Sequence, residues 1–337
     1  MLSHRAVYDA EHEMFRDAMR GFIKAEITPH FARWEDAGMV DRSFWQAAGR
    51  AGLLCPHIPE AYGGAGGSFK HNAVVVEEMG YAGYAGPMVN LSVHSDVCAG
   101  YLLNAGTEAQ KQHWLPRLVR GESVCAVAMT EPGTGSDLQG IRTRATREGD
   151  AFRINGSKTF ISNGQHCDLV IVVARTSDAP GAKGLSLILV EADRPGFRRG
   201  KKLHKLGQLS SDTSEMFFDD VVVPASNLMG AEGTGFATLM TELPQERLVI
   251  AVQSMAMAQR AFDVTRDYVR ERKAFGQAIA DFQNTRHKLA DMKADLQVGW
   301  SFVDQCLSQH VSGQLTPLAA STAKLWCSEM QGRLVDQ

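Results

Sequence analysis

Two stretches of the sequence combine residue types that could carry chemistry, and the first places a carboxylate beside a long helical pattern. Between Thr241 and Phe275, apolar and small residues recur at steps of three and four, which is typical of a helix face packed on a core. The members of this stripe are Leu248, Ala251, Val252, Met255, Ala258, Phe262, Thr265 and Val269. Glu246 and Arg247 stand at its head, where we expect the helix to begin. Spacing alone leaves two interpretations of Glu246, a catalytic base or an ordinary solvated charge.

The second stretch is a glycine-rich turn, MTEPGTGSD, at residues 129–137. The backbone N–H groups and hydroxyls of such a turn can approach a planar or phosphorylated ligand closely. No lysine follows the glycines, which excludes a Walker A loop, and Leu138 stands where a GxGxxG fingerprint would have its third glycine. The pattern therefore indicates either a ligand-contacting loop or a plain surface turn.

Composition narrows the class of protein to which these stretches belong. A chain of 337 residues has room for two or three domains, and its net charge of -3 gives no bulk attraction to nucleic acid or anionic membranes. No apolar run reaches the roughly 18 residues that a bilayer-spanning helix needs. The six cysteines show neither CxxC spacing nor clustering with histidines, so we predict no metal site and no disulfide framework. The acidic first thirty residues do not resemble a targeting segment, which predicts a cytoplasmic location.

The elements that must position the two stretches fall into three blocks. Residues 1–122 have helical periodicity and predict an N-terminal all-α domain. Its helical candidates are a face of Phe15, Met19, Phe22 and Ile23, followed by Phe44–Leu54, Asn72–Met79, Val93–Ala105 and Glu108–Val119.

Residues 123–231 change to short β-type runs bounded by Gly, Asp, Pro or Ser, among them the apolar runs LVIVVAR and LSLILVE. Asn155-Gly156 is a two-residue hairpin signal, because a type I′ turn needs positive φ at both central positions. We therefore predict a middle antiparallel β-barrel or sandwich, and the lack of β-α-β alternation argues against a Rossmann domain.

Helical periodicity returns over residues 232–337, which predicts a C-terminal α-bundle and an α+β protein overall. Its helical candidates are Phe236–Val269, Ile279–Gln309 and Pro317–Val335. Pro244 lies close to Glu246 and either kinks the helix or occupies its first turn. Three helices rarely close a bundle by themselves, so we expect this domain to be incomplete and its last helices to follow Gln337.

Several motifs, in order along essentially the whole chain, resemble the acyl-CoA dehydrogenase family. MTEPGTGSD and NGSKTFISNG are similar to its flavin- and substrate-contacting signature, and RKAFG, FQ and LADM from residue 272 onward are similar to its second signature. KLHKLG near residue 203 and LPQERL near residue 243 most resemble the long-chain branch of the family. The helix–β–helix order also resembles the architecture of this family.

The resemblance implies an FAD-dependent enzyme of fatty acid β-oxidation that converts an acyl-CoA to a trans-2-enoyl-CoA. Glu246 matches the base that removes the α-proton, and FAD would accept the β-hydride. Arg247 is expected either to orient the substrate or the neighbouring loop, or to form an ordinary surface ion pair. Ser136 matches a residue near the pantetheine and phosphate end of CoA. The flavin contacts implied by position are Met129, Thr130, Phe160 and Ser162, with Arg272, Phe275 and Gln283 reaching the FAD of a neighbouring subunit.

The same resemblance implies a homotetramer, built as a dimer of dimers, and electron-transferring flavoprotein as the electron acceptor. Two alternatives remain open at the level of sequence. One is a catalytically silent homologue that binds flavin or CoA, and the other is a flavin oxidase or monooxygenase on the same fold.

Overall fold

A computed structural model describes residues 5–337 of the chain. By its internal contacts the chain divides into two compact units. The bundle unit contains residues 5–23, Ser68–Ala85 and Pro244–Gln337, and the sheet unit contains Lys24–Gly67 and Gly86–Leu243.

Within the described residues the helices and strands follow one another from helices to sheet and back to helices. The first helices are α1 (Ala10–Phe22), α2 (Phe31–Ala37), α3 (Arg42–Arg50), α4 (Phe69–Ala82), α5 (Ala85–Ser92), α6 (Ala99–Ala105) and α7 (Glu108–Val119). The strands that follow are β1 (Cys125–Ala128), β2 (Arg144–Glu148), β3 (Ala151–Ile161), β4 (Leu169–Arg175), β5 (Leu185–Glu191), β6 (Phe197–Lys202), β7 (Ser214–Pro224) and β8 (Leu228–Met229). The chain then forms α8 (Gly235–Glu271), the short strands β9 (Lys273–Ala274) and β10 (Gln277–Ala278), α9 (Gln283–Val311) and α10 (Pro317–Asp336).

The sheet unit is built on one eight-stranded sheet with the order β6-β7-β3-β2-β4-β5-β8, and β1 pairs with β4 beside this path. Most neighbours are antiparallel, but β1 with β4 and β2 with β4 run parallel, so the sheet is mixed. Strands β4 and β5 are buried at six successive positions each, which explains their continuous apolar sequences. The predicted α+β class, with a middle β domain between helical regions, is confirmed.

The bundle unit packs α1 and α4 with α8, α9 and α10. The predicted stripe on α8 is buried at Leu248, Ala251, Val252, Met255, Ala258, Phe262 and Val269, whereas Thr265 is exposed. Gly299 of α9 allows close packing there, since an added Cβ would lie 2.5 Å from the Met255 sulfur. A buried ion pair also joins α1 to α4, with Arg16 Nη1 2.7 Å from a carboxylate oxygen of Glu78.

The predicted hairpin at Asn155-Gly156 is wrong. Both residues lie inside β3, at a register irregularity opposite β7, and the connection between β2 and β3 is made by Gly149 (φ +60°) and Asp150. The Asn155 side chain exchanges hydrogen bonds with Asp220 of β7, at 3.0 Å to its carboxylate and 2.9 Å from its backbone N–H. A bulge in a long strand and a tight hairpin both favour Asn-Gly, so the dipeptide alone does not distinguish the two structures.

The helix predicted over Phe236–Val269 is present as α8, but the expectation that Glu246 and Arg247 open it is wrong, because α8 begins at Gly235. Pro244 consequently lies in the helix interior and not in its first turn. At that position proline removes the hydrogen bond that a backbone N–H would donate to the carbonyl of Met240. The boundary between the two compact units falls at this same residue.

Three further features of the fold bear on the predictions. All six cysteines are free and buried. The predicted helix over Val93–Ala105 is present but starts with a π-helical turn at Val93–Cys98 before α6. Among the described residues, no helix is both long enough and apolar enough to cross a bilayer.

Candidate active site

The glycine-rich turn leaves the end of β1 and is held by its own backbone. Glu131 and Thr134 exchange backbone hydrogen bonds of 2.9 and 3.1 Å, which closes the turn around Pro132 and Gly133. Met129 and Thr130 are half-buried, whereas Ser136 lies on the exposed outer part of the turn. The first residues of the turn, Met129 and Thr130, are therefore partly covered, whereas its later part at Ser136 faces solvent.

Glu131 fixes the turn against the sheet. Its carboxylate accepts hydrogen bonds from the backbone N–H groups of Arg142 at 2.7 Å and Thr143 at 2.9 Å, and from the Lys158 ammonium at 2.9 Å. Burial alone would raise the pKa of Glu131, but the Lys158 charge and these hydrogen bonds leave it below its usual value. Burial lowers the pKa of Lys158 to about 8, against the opposing effect of Glu131.

The end of β3 forms the other side of this site. Phe160 has a left-handed backbone (φ +59°), and its side chain is 66% exposed. A bulky residue with positive φ is uncommon, and such strain is often found at functional positions. Ser162 is half-buried just beyond the strand end.

Asn163 holds this strand end in place through buried hydrogen bonds. It is fully buried with φ +61°, and its side-chain amide donates to the backbone carbonyls of Asn90 at 3.0 Å and Cys125 at 3.2 Å. The second bond ties the segment that carries Phe160 and Ser162 to the first residue of β1.

The two sides of the site come together in the sheet unit. The Thr159 N–H donates to the Thr130 carbonyl at 2.9 Å, which places the segment 129–131 beside the segment 159–162. Within residues 5–337, neither the Thr130 hydroxyl nor the Ser162 hydroxyl forms a hydrogen bond with another side chain or backbone group. Half-buried hydroxyls without protein partners, next to an exposed aromatic ring, suit a planar ligand with polar edges.

Glu246 and Arg247 belong to the bundle unit, on α8. Both side chains are half-buried, and Leu248 directly after them is fully buried. The neighbouring Gln245 has its side-chain oxygen 2.9 Å from Nε2 of His310 on α9, which fixes this turn of α8 against the bundle. Glu246 is therefore a half-buried carboxylate on a turn of α8 that packs against the bundle.

The remaining predicted residues lie around the β9–β10 hairpin of the bundle unit. Arg272, Phe275 and Gln283 are all exposed, and Phe275 is 96% exposed at the hairpin tip. Phe275 and Gly276 have φ values of +52° and +80°, so a large aromatic residue occupies a turn position that favours Asn or Gly. An exposed ring held in this conformation suits contact with a molecule outside this chain.

Glu131, Lys158 and Asn163 support the site although none of the three was predicted from the sequence, and all lie inside the two motifs MTEPGTGSD and NGSKTFISNG. The sequence contains one signal for Lys158, because this lysine lies in a run of β-type residues that a buried strand would contain, and lysine is rarely buried without a partner. The partner of that lysine could not be read from the sequence, because it lies 27 positions away.

Comparison with known proteins identifies the class. Residues 9–122 match the N-terminal domain of acyl-CoA dehydrogenases, residues 126–221 match the middle domain, and residues 233–337 match the C-terminal domain. The chain belongs to the acyl-CoA dehydrogenase family, and it is an oxidoreductase of that class.

Individual relatives place the chain within the family. It is 47% identical to the mitochondrial long-chain specific acyl-CoA dehydrogenase of Sus scrofa, over 97% of this chain and 76% of that protein. An acyl-CoA dehydrogenase from Geobacillus kaustophilus has the same fold, with a TM-score of 0.95 and 44% identity over 98% of this chain and 87% of that one. A glutaryl-CoA dehydrogenase from Mycobacterium smegmatis in complex with FADH2 is also similar, with a TM-score of 0.90 and 28% identity over 97% and 83% of the two chains.

Proposed function

We propose that this chain binds FAD and dehydrogenates an acyl-CoA between its α and β carbons, with Glu246 as the base. The observation that carries the proposal is the pair of half-buried hydroxyls, Thr130 and Ser162, brought together at the ends of two strand segments. Membership of the family supports it, as does the glutamate in the LPQERL stretch.

The residues of the sheet unit fit a flavin. The Thr130 and Ser162 hydroxyls would hydrogen-bond its polar edge, the Met129 backbone would border it, and the exposed Phe160 ring would cover one face. When bound, FAD supplies the acceptor for the hydride that leaves the β-carbon. The protein residues on this side therefore hold and orient a cofactor, and they exclude water from one of its faces.

Glu246 performs the proton transfer in this proposal. Its carboxylate takes the α-proton of the thioester, and the buried apolar stripe behind it limits access of water to that side of the carboxylate. Arg247, the next residue, orients the substrate, and Ser136 contacts the pantetheine and phosphate end of CoA. The acyl-CoA itself is the substrate class that the family implies.

Assembly and partners form a further part of the proposal. Arg272, Phe275 and Gln283 would reach the FAD of a neighbouring subunit, and the strained, exposed Phe275 supports a contact of that kind. We also propose a homotetramer, formed as a dimer of dimers, because the resemblance to the family implies one. We further propose electron-transferring flavoprotein as the acceptor and β-oxidation as the process, and a cytoplasmic location stays a prediction from the sequence.

The deciding experiment is an anaerobic titration of the FAD-loaded chain with acyl-CoAs of graded length. A dehydrogenase should lose the yellow absorbance of oxidised flavin on addition of acyl-CoA. A silent binder would show only a shifted spectrum, and that result would refute the proposal. Rapid peroxide formation when air is admitted would indicate the oxidase or monooxygenase alternative.

A further inference from the structure

Lys158 and Glu131 form an ion pair inside the sheet unit. The Lys158 side chain is fully buried and the Glu131 side chain is 6% exposed, with 2.9 Å between the ammonium nitrogen and the nearer carboxylate oxygen. The ammonium also donates to the Met129 carbonyl at 2.9 Å. The same lysine therefore contacts both ends of the segment Met129–Glu131.

Stability alone is a weak reason for such a pair. Removing two charges from water costs several kcal/mol per ion, and well-packed apolar residues often replace a buried pair without loss. Unlike an apolar contact, the pair is directional, because charge-assisted hydrogen bonds require defined positions of donor and acceptor. Lys158 donates to the Met129 carbonyl and the Glu131 carboxylate, both in the segment 129–131. Glu131 in turn accepts from the Arg142 and Thr143 backbone N–H groups.

The bonds fix the turn at successive residues. The Met129 carbonyl accepts from Lys158, the Thr130 carbonyl accepts from the Thr159 N–H at 2.9 Å, and the Glu131 carboxylate accepts from Lys158. With both carbonyls bonded to β3, the backbone that carries the Thr130 side chain is held at a defined position relative to that strand.

The pair also acts on the opposite side of the site. Lys158 precedes Phe160 by two residues and Ser162 by four, at the register irregularity near the end of β3. One ammonium group thus connects the segment that carries Thr130 to the strand that ends directly before Ser162.

We propose that Lys158 and Glu131 are positioning residues that set the relative placement of the Thr130 and Ser162 hydroxyls toward the flavin. This inference rests on the proposed function, because it takes FAD as the ligand that those hydroxyls bind.

The test compares Lys158→Met with a matched control, Arg153→Met. Both substitutions replace a cation of β3 by methionine, but Arg153 lies near the other end of the strand, where its side chain is 37% exposed and pairs with Glu148 at 2.9 Å. We expect Lys158→Met to weaken FAD binding by about tenfold, since one lost directed hydrogen bond can account for such a factor. Amide hydrogen exchange over residues 129–135 of the apoprotein should be about tenfold faster in this variant. Arg153→Met should leave both quantities at their wild-type values.

A second variant keeps the inference testable if Lys158→Met folds poorly. Glu131→Gln removes the charge and one of the two oxygens that accept from the Arg142 and Thr143 amides, while it keeps the size of the side chain, so it should show a change of the same kind. The midpoint potential of the bound flavin is a third readout, because a role confined to stability would leave it unchanged in folded protein. Wild-type affinity, exchange and potential in the folded Lys158 and Glu131 variants would overturn this inference alone. Failure of the wild type to bind FAD would overturn it together with the proposed function.

Discussion

Protonation of one buried histidine should weaken the sheet unit in acid. His94 is fully buried in the π-helical turn, with Nε2 3.0 Å from the Leu118 carbonyl. Its Nδ1 accepts the Cys125 N–H at 3.1 Å, at the first residue of the strand that leads into the glycine-rich turn. The imidazole ring lies 5.2 Å from the Trp45 ring. A second proton on Nδ1 would therefore meet another N–H group in an apolar site.

The magnitude follows from the shift in pKa. Burial lowers the pKa of His94 from 6.5 to about 4, and only the bond to Leu118 and the charge of Asp168 oppose this. The unfolded chain therefore binds the proton first, so the stabilisation is complete above pH 6.5 and is lost as the pH falls toward 4. Over that window the free energy of unfolding should fall by about 3 kcal/mol from this one group.

The assay is urea unfolding by circular dichroism, at pH values between 4 and 7, of the wild type and His94→Gln. The variant should be less stable at pH 7 because it loses packing, and the difference should shrink as the pH falls. Other titrating groups, including His166 and Asp212, are common to both proteins and cancel in the difference. His204→Gln, in an exposed loop, is the control and should follow the wild type. A constant difference between wild type and His94→Gln over the whole range would refute the reasoning.

Three further predictions concern stability. Burial lowers the pKa of Lys158 from 10.5 to about 8, so the unfolded chain holds the proton more tightly than the folded protein. The free energy of unfolding of the wild type should therefore rise by up to about 3 kcal/mol relative to that of Lys158→Met as the pH rises through this interval. A difference between the two proteins that does not change with pH would contradict this. Asn163→Gly should be about 1 kcal/mol more stable than Asn163→Ala, because glycine adopts φ +61° without strain and alanine does not. Equal urea midpoints for the two variants would contradict this prediction. Gly299→Ala should cost about 1–3 kcal/mol through its clash with Met255, whereas Gly332→Ala, which meets no atom within 4 Å, should be neutral or stabilising in thermal melts.

Much of the fold could be predicted from the sequence because its local patterns agree with its tertiary environment. Strands β4 and β5 coincide with the apolar runs LVIVVAR and LSLILVE, and α7 coincides with the predicted Glu108–Val119. The hairpin error arose because one local pattern serves two structures, since Asn155-Gly156 suits a hairpin or a bulge. For Pro244 the sequence left a helix start and an interior position open, and the structure has the interior position.

The candidate site was predictable only in part. The motifs indicated Thr130 and Ser162, but their alignment depends on a hydrogen bond between Thr159 and Thr130 that joins distant segments. The support from Lys158 and Asn163 arises from burial, which depends on the whole sheet. Local sequence therefore identifies groups that could face a ligand, and long-range contacts decide which of them are held in place.

The central claim is that Glu246 removes the α-proton, and the most direct test is the rate of anaerobic flavin reduction by acyl-CoA in wild type and Glu246→Gln. Glutamine has nearly the same shape but cannot accept the proton. We expect the rate to fall by about a thousandfold, the range in which loss of a general base lies, while the affinity for FAD stays unchanged. Flavin reduction by Glu246→Gln at the wild-type rate would contradict the account.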